Sequence, residues 1–229
     1  MTHSRKALII VVATVLVVLV IDQASKIWVK TTMEYGEEFL ILGLDWARIH
    51  FVENEGMAFG ISFGEQTGKL LLSLFRLVAV GFIVYMIYQM IRNKESLGVL
   101  ICFSLIFAGA MGNIIDSAVY GLIFSPTPYH GGVAEIFPEE GGYAGFLYGK
   151  VVDMFYFPII QSRWPEWLPI WGGQRFEFFS PVFNVADSAI TCGIIALLLF
   201  YRPFFMSDNK TSENSTSKPG IQGHAEAST

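Results

Sequence analysis

The sequence predicts an all-α membrane protein with four transmembrane helices. Its 229 residues are 53% hydrophobic and 15% charged, and the mean hydropathy is +0.50, which is more apolar than an ordinary soluble domain. Apolar runs lie near residues 7–29, 70–91, 97–115 and 185–205, and each approaches the roughly 20 residues that a helix needs to cross a bilayer. We therefore predict one membrane domain over residues 1–205, with no separate soluble domain.

The first apolar run follows Arg5 and Lys6, so a cleaved signal peptide is an alternative to a membrane helix. The run is long enough to span, however, and it ends in IDQASK, which lacks a small-x-small cleavage site directly after the apolar core. We predict an uncleaved first helix.

Basic residues of short loops indicate orientation, because they are enriched on the cytoplasmic side of a membrane. Here they lie before the first helix, between the second and third, and at or beyond the end of the fourth: Arg5, Lys6, Arg92, Lys94, Arg202, Lys210 and Lys218. This pattern predicts cytoplasmic termini, with outer loops at about 31–69 and 117–184. The polar, Ser/Thr-rich residues 206–229 are predicted to form a disordered cytoplasmic tail. No clustering of basic residues indicates a nucleic-acid partner.

Four aspartates are expected at one depth near the outer face. Asp22, Asp116 and Asp187 lie at the outer ends of predicted helices, and Asp153 lies in an apolar stretch, VVDMF, that we expect to re-enter the interface. A charged side chain in hydrocarbon costs about 2.5–3.5 kcal/mol on insertion scales, so each requires a partner or a role.

Two of these aspartates belong to Asn-x-x-Asp motifs. Asn113 precedes Asp116, and Asn184 precedes Asp187, each by three residues, which places amide and carboxylate on one helix face. Gly109 and Gly112 have the small-x-x-small spacing that allows close helix approach. Simple capping of helix ends is an alternative role for both motifs, but it does not account for Asp153.

The residue types favour chemistry carried by two carboxylates. The histidines lie away from these motifs, which argues against a metal site, and neither a G-x-S-x-G motif nor a Cys–His pairing supports a Ser or Cys nucleophile. Two aspartates brought close share a proton, so one acts as general base on a water while the other acts as acid. We predict aspartic-protease chemistry without a cofactor.

Five blocks of the sequence resemble the signature blocks of lipoprotein signal peptidase, also called signal peptidase II: IDQASK, NEGMAFG, GNIIDS, VVDMF and FNVADSAI. They occur in the family's order across residues 21–190. The resemblance implies a bacterial inner-membrane aspartic endopeptidase, with a small extracytoplasmic β-type cradle in the first outer loop. Its substrates would be diacylglyceryl-modified prolipoproteins, cut just before the lipidated cysteine.

The resemblance also implies roles for individual residues. Asp153 and Asp187 would form the catalytic dyad. Asp22 and Lys26 would form a supporting ion pair, although an interfacial pair that contributes little is an equal alternative. Roles in ordering the site or binding substrate would belong to other residues of the same blocks: Asn113, Asp116, Asn184, Ala186, Asn54 and Gly56.

This chain departs from the family pattern at several places. Family members usually carry arginine where this chain has Ser117, so the cation is missing or supplied elsewhere; Arg163 and Arg175 are candidates. The loops at 117–150 and 156–182 are expanded. The second contains tryptophans that suggest an interfacial aromatic belt, with ordinary loop packing as the alternative: Trp164, Trp167 and Trp171.

Two other classes of protein are alternatives. A small proton-coupled transporter would distribute its polar residues through the membrane and usually contain an internal repeat. A structural assembly factor would not require aspartates in separate apolar contexts. We favour the peptidase, acting as a monomer whose other partners are membrane lipids.

Overall fold

Long apolar helices dominate the computed structural model, which describes residues 2–54, 65–178 and 181–201. The helices are α1 (His3–Thr32), α2 (Glu65–Arg92), α3 (Leu97–Ile115), the single turn α4 (Gly121–Ile123) and α5 (Val185–Phe200). Within the described residues, the segments long and apolar enough to cross a membrane are His3–Thr32, Ser73–Arg92 and Leu97–Ile123, and Val185–Phe200 is a shorter apolar helix. The predicted helices are therefore present.

The helix bounds differ from the prediction at the ends of the third and fourth predicted helices. A π-helical turn, Asp116–Tyr120, joins α3 to α4, so helical structure continues to Ile123 and the second outer loop begins later than the predicted residue 117. Asp116 consequently lies inside a helical segment and does not end one. The fourth predicted helix ends at Phe200, not near residue 205.

Helix α3 packs against α1, α2 and α5. Gly109 permits the close approach to α5, since a Cβ there would lie 2.2 Å from the carbonyl oxygen of Ala186. At Gly112 a Cβ would lie 2.5 Å from Asp22 Oδ2. The expectation that these glycines allow close approach is thus confirmed, and at Gly112 the neighbour includes a carboxylate.

An antiparallel sheet of four strands lies beside the C-terminal end of α1 and the start of α5. Its order is β1 (Glu38–Leu40), β2 (Arg48–Asn54), β3 (Val151–Tyr156) and β6 (Val182–Phe183). The β-type cradle predicted between the first two helices is therefore present as β1 and β2. The prediction missed half of the sheet, because the segment between α4 and α5 supplies β3 and β6. The apolar stretch around Asp153 is strand β3, and its re-entry into the membrane interface stays a prediction.

One face of this sheet packs on the end of α1 and on the segment after α3. The buried cluster combines Phe51, Val152 and Met154 with Val29 and Tyr120. Asp153, between Val152 and Met154, points to the other face because side chains alternate along a strand. Pairing of Phe155 with Phe183 brings the start of α5 beside β3, and this juxtaposition builds the site.

A separate hairpin consists of β4 (Ile160–Arg163) and β5 (Arg175–Phe178). Its connecting segment carries the exposed tryptophans, with the rings of Trp164 and Trp171 6.4 Å apart; the interfacial belt stays a prediction. Gly56, Arg202, the other basic residues of the C-terminal region and the tail at 206–229 lie outside the described residues.

Candidate active site

A buried ion triad lies where α1 meets α3. The Lys26 ammonium is 2.9 Å from Asp22 Oδ2 and 2.8 Å from Asp116 Oδ2, and all three side chains are fully buried. Lys26 also donates to Asn113 Oδ1 at 3.0 Å. The expected Asp22–Lys26 pair is therefore part of a larger buried network, which is a different situation from an exposed interfacial pair.

Neighbouring groups satisfy the remaining oxygens of the triad. Gln23 Nε2 donates to Asp116 Oδ1 at 2.9 Å, and the Tyr120 hydroxyl donates to Gln23 Oε1 at 3.1 Å. The backbone N–H of Ala186, in the first turn of α5, donates to Asp22 Oδ1 at 2.8 Å. These bonds join α1, α3 and α5 around the carboxylates of Asp22 and Asp116.

Asn113 connects the triad to Asp187. Its Nδ2 donates to Asp187 Oδ1 at 2.9 Å, while its Oδ1 accepts from Lys26 and, at 3.2 Å, from Asn184 Nδ2. Because the amide oxygen faces donors and the amide nitrogen faces a carboxylate, the network defines the amide's orientation.

Asp153 and Asp187 are joined through Asn184. The Asn184 side chain donates to Asp153 Oδ1 at 2.7 Å, and its backbone N–H lies 3.3 Å from Asp187 Oδ2. Asn54, at the end of β2, also hydrogen-bonds the Asp153 side chain. The environment of the two carboxyls is therefore formed by β2, β3 and the start of α5.

The protonation of Asp153 is perturbed in the direction that acid–base chemistry needs. Burial, with a further contribution from the Asp187 carboxylate, raises the pKa of Asp153 to about 7, and hydrogen bonds from Asn184 and Asn54 oppose this rise. The carboxyl is 5% exposed, so desolvation of its charged form is the expected dominant cause.

Capping, the alternative role considered for Asp187, is also observed. Asn184 is the N-cap of α5, its side chain accepts from the Asp187 backbone N–H at 3.0 Å, and Asp187 is the N3 residue of a capping box. The cap engages Asp187 Oδ2, whereas Oδ1 faces Asn113. One carboxylate thus serves both the helix and the network.

A cation that the sequence analysis overlooked lies near the same carboxylates. Arg76 is half-buried on the stripe of α2 that also carries the buried residues Ser73, Val80 and Ile87. It interacts electrostatically with three carboxylates of the site: Asp187, Asp116 and Asp153. The signal was available, because Arg76 is the one charged residue in the apolar run 70–91, and intramembrane charges mark functional positions.

The three positions considered in the sequence for the family's cation, residues 117, 163 and 175, do not bring an arginine to the carboxylates among the described side chains. Ser117 is buried and its hydroxyl donates to the Asn113 carbonyl oxygen at 3.0 Å. Arg163 is exposed on β4, and the side chain of Arg175 lies outside the description. Among the described residues, Arg76 is therefore the arginine associated with the carboxylate cluster.

The similarity to known proteins covers most of the chain. Residues 14–202 match the signal peptidase (SPase) II family. The chain belongs to the signal peptidase II family. A lipoprotein signal peptidase from Porphyromonas gingivalis is 53% identical over 193 residues, covering 84% of this chain and 82% of the relative. One from Amoebophilus asiaticus is 36% identical over 187 residues, covering 80% and 74%.

A solved structure agrees at the level of the fold. A bacterial membrane enzyme determined by the in meso method at 1.9 Å resolution matches with a TM-score of 0.52 and 25% identity, over 84% of this chain and 92% of that chain. As a signal peptidase II family member, the chain is a signal-peptide-processing protease with membrane-spanning helices. The transporter and assembly-factor alternatives are thereby set aside.

Proposed function

We propose that this chain is an aspartic endopeptidase that removes the signal peptide from diacylglyceryl-modified prolipoproteins, cutting just before the lipidated cysteine. The name of its relatives, lipoprotein signal peptidase, supports the substrate class. The observation that carries the mechanism is the Asn184-bridged pair of Asp153 and Asp187. Asn113, Asp116, Ala186, Asp22 and Lys26 order this pair, and Asn54 and Gly56 belong to the substrate-binding cradle.

The two carboxyls divide the acid and base roles between them. The raised pKa of Asp153 keeps a proton on the pair at neutral pH, although coupled carboxyls titrate as a unit. The ionised member accepts a proton from a water as its oxygen bonds to the scissile carbonyl carbon. The protonated member then supplies the proton that the departing amide nitrogen needs. The products are a new carboxylate on the signal peptide and a free amino group on the cysteine.

Charges around the pair support this step electrostatically. Lys26 is neutralised by Asp22 and Asp116, so it acts mainly by holding Asn113 in place. Arg76, on the opposing helix α2, interacts electrostatically with both carboxylates of the pair, and a cation there favours the negative charge that develops during attack on a carbonyl.

We further propose that the chain acts as a monomer in the bacterial inner membrane, with both termini cytoplasmic and the site near the outer face. The distribution of basic residues supports this orientation. In a background without Cys102 and Cys192, a cysteine at Glu140 should react with an impermeant thiol reagent in spheroplasts. One at Asn93 should react only after the membrane is opened, and the reverse pattern would overturn the orientation.

The mechanism is tested with a purified lipidated precursor in detergent. Asp153→Asn and Asp187→Asn should each lower kcat by roughly 1,000-fold or more, because each removes one carboxyl of the acid–base pair. Asp45→Asn, at an exposed aspartate between β1 and β2, is the matched control and should retain activity. Substantial turnover by either dyad variant would show that other groups do the chemistry.

A further inference from the structure

A second cluster of buried charges lies one helical turn beyond Lys26 on α1. The Lys30 ammonium pairs with Glu53 Oε1 and donates to Thr127 Oγ1 at 2.8 Å, and the Thr127 hydroxyl donates to the same Glu53 oxygen at 2.7 Å. Lys30 is fully buried and Glu53 is 5% exposed. We call these three residues the cradle clamp.

Neighbouring groups extend the clamp into the expanded second outer loop. Glu53 Oε2 lies 3.7 Å from Lys150 Nζ, and the backbone N–H of Lys150 donates to the Tyr143 hydroxyl at 2.7 Å. The Lys30 ammonium lies 5.2 Å from the Tyr143 ring centroid and 5.3 Å from that of Phe124. The clamp therefore joins α1, strand β2 and the expanded loop in one contact region.

The register of the sheet relates this clamp to the dyad. Glu53 and Asn54 are consecutive on β2, so their side chains point to opposite faces. Asn54 pairs with Val151 and Val52 with Asp153, which makes Asn54 a diagonal neighbour of Asp153 on one face. Fixing Glu53 from one side of the strand thus fixes the position of Asn54 on the other.

We propose that the cradle clamp is a positioning device, in which Lys30 and Thr127 hold Glu53 so that Asn54 stays bonded to Asp153. This gives the expanded segment between Ile123 and β3 a role, because Thr127 and Tyr143 belong to it. The inference rests on the proposed function through the assignment of Asp153 to the dyad. Lys30, Glu53 and Thr127 are positioning residues and do not contact the reacting groups.

Breaking the clamp should reproduce the loss of Asn54. A hydrogen bond from Asn54 favours the ionised form of Asp153, so its loss should move the alkaline limb of the pH profile to higher pH. Glu53→Gln should lower kcat roughly tenfold, the effect expected when one hydrogen bond to an ionised group is lost. KM should change no more than it does in Asn54→Ala, because the clamp residues themselves do not bind substrate.

The test compares Glu53→Gln, Asn54→Ala and the double variant, all in the full-length protein with the lipidated precursor. The double variant should be no slower than Asn54→Ala alone, and all three should share the shifted alkaline limb, because the two residues act in sequence. Multiplicative losses, or a wild-type pH profile for Glu53→Gln, would overturn the proposal.

Matched controls separate positioning from general loss of structure. Glu38→Gln breaks the half-exposed pair between Glu38 and Arg48 on the same sheet and should leave kcat and the pH profile unchanged. If Glu53→Gln does not fold, Thr127→Val removes the clamp hydroxyl at nearly constant volume and should show the same limb shift, with Thr32→Val on α1 as its control. An inactive Asp153→Asn beside a normal Thr127→Val would reject the clamp alone, whereas an active Asp153→Asn would reject the proposed function.

Discussion

The side-chain amide of Asn113 donates to Asp187 Oδ1 at 2.9 Å, and the oxygen of that amide is bonded to the buried ammonium of Lys26. One neutral side chain therefore separates a fully buried ion triad from the proposed dyad. The triad holds Asn113 in place, while its own positive charge is matched by Asp22 and Asp116.

Asn113→Ala should weaken both folding and activity. It removes one acceptor of the buried Lys26 ammonium, which costs about 1–3 kcal/mol of unfolding free energy. It also frees Asp187, so kcat should fall by roughly 10- to 100-fold. Thermal unfolding in detergent and precursor cleavage measure the two effects. Ser104→Ala, at a buried α3 serine that donates to the Leu100 carbonyl, should change neither greatly; equal behaviour of the two variants would contradict the linking role.

The alkaline limb of the activity profile should lie near the raised pKa of Asp153. Because that pKa is about 7, the pair loses its shared proton, and therefore its general acid, as the pH rises through that value. We expect kcat/KM for the lipidated precursor in detergent to fall above about pH 7. A profile flat from pH 6 to 9 would show that no group with this pKa is required.

Arg76→Gln should lower kcat and shift the alkaline limb to higher pH. Loss of a nearby cation disfavours the ionised carboxylates and the developing negative charge, an effect worth roughly tenfold in rate. Arg76→Lys should retain part of the activity because the charge is kept. The control is Arg92→Gln, at the exposed end of the same helix beside the Tyr88 ring. If Arg76→Gln and Arg92→Gln are equally active, the electrostatic contribution of Arg76 is absent.

Gly112→Ala should disrupt the ion triad from α3. The added Cβ would lie 2.5 Å from Asp22 Oδ2, so the helices must separate or Asp22 must move, at a cost of about 1–3 kcal/mol in stability. Gly81→Ala on α2 meets nothing within 4 Å and should be neutral or stabilising by up to about 1 kcal/mol. Thermal unfolding of the two variants, measured under the same conditions, tests this difference in stability. A stable, active Gly112→Ala would show that the helices can adjust.

Lipidation of the substrate should control the cleavage rate. Asp187 lies in the first turn of α5, which places the proposed dyad near the end of an apolar helix, at the expected outer boundary of the bilayer. Buried methylenes contribute about 0.8 kcal/mol each and anchor a modified cysteine at that boundary. A precursor with an unmodified cysteine should be cleaved far more slowly at equal concentration. Equal rates would indicate that peptide contacts alone align the scissile bond.

The sequence predicts the helices and the convergence of the aspartates well, because apolar length and intramembrane charge are strong local signals. It does not predict that VVDMF is strand β3, since a short apolar run is compatible with several structures, and pairing with β2 decides the outcome. It also misses Gln23 and Tyr120, whose partners lie about one hundred positions away and leave no local pattern. Arg76 was detectable as an isolated charge, but its neighbours depend on how α2 packs against α3.

The capping box at Asn184 has a consequence for biogenesis. The bonds that begin α5 are the same bonds that orient Asp187 and bridge it to Asp153, and α5 is the last described helix in chain order. A nascent chain synthesised as far as β3 contains Asp22, Asp116 and Asp153 but still lacks Asp187. Under the proposed mechanism, proteolytic competence therefore arises only when α5 docks against α3, and a partly assembled chain is inactive.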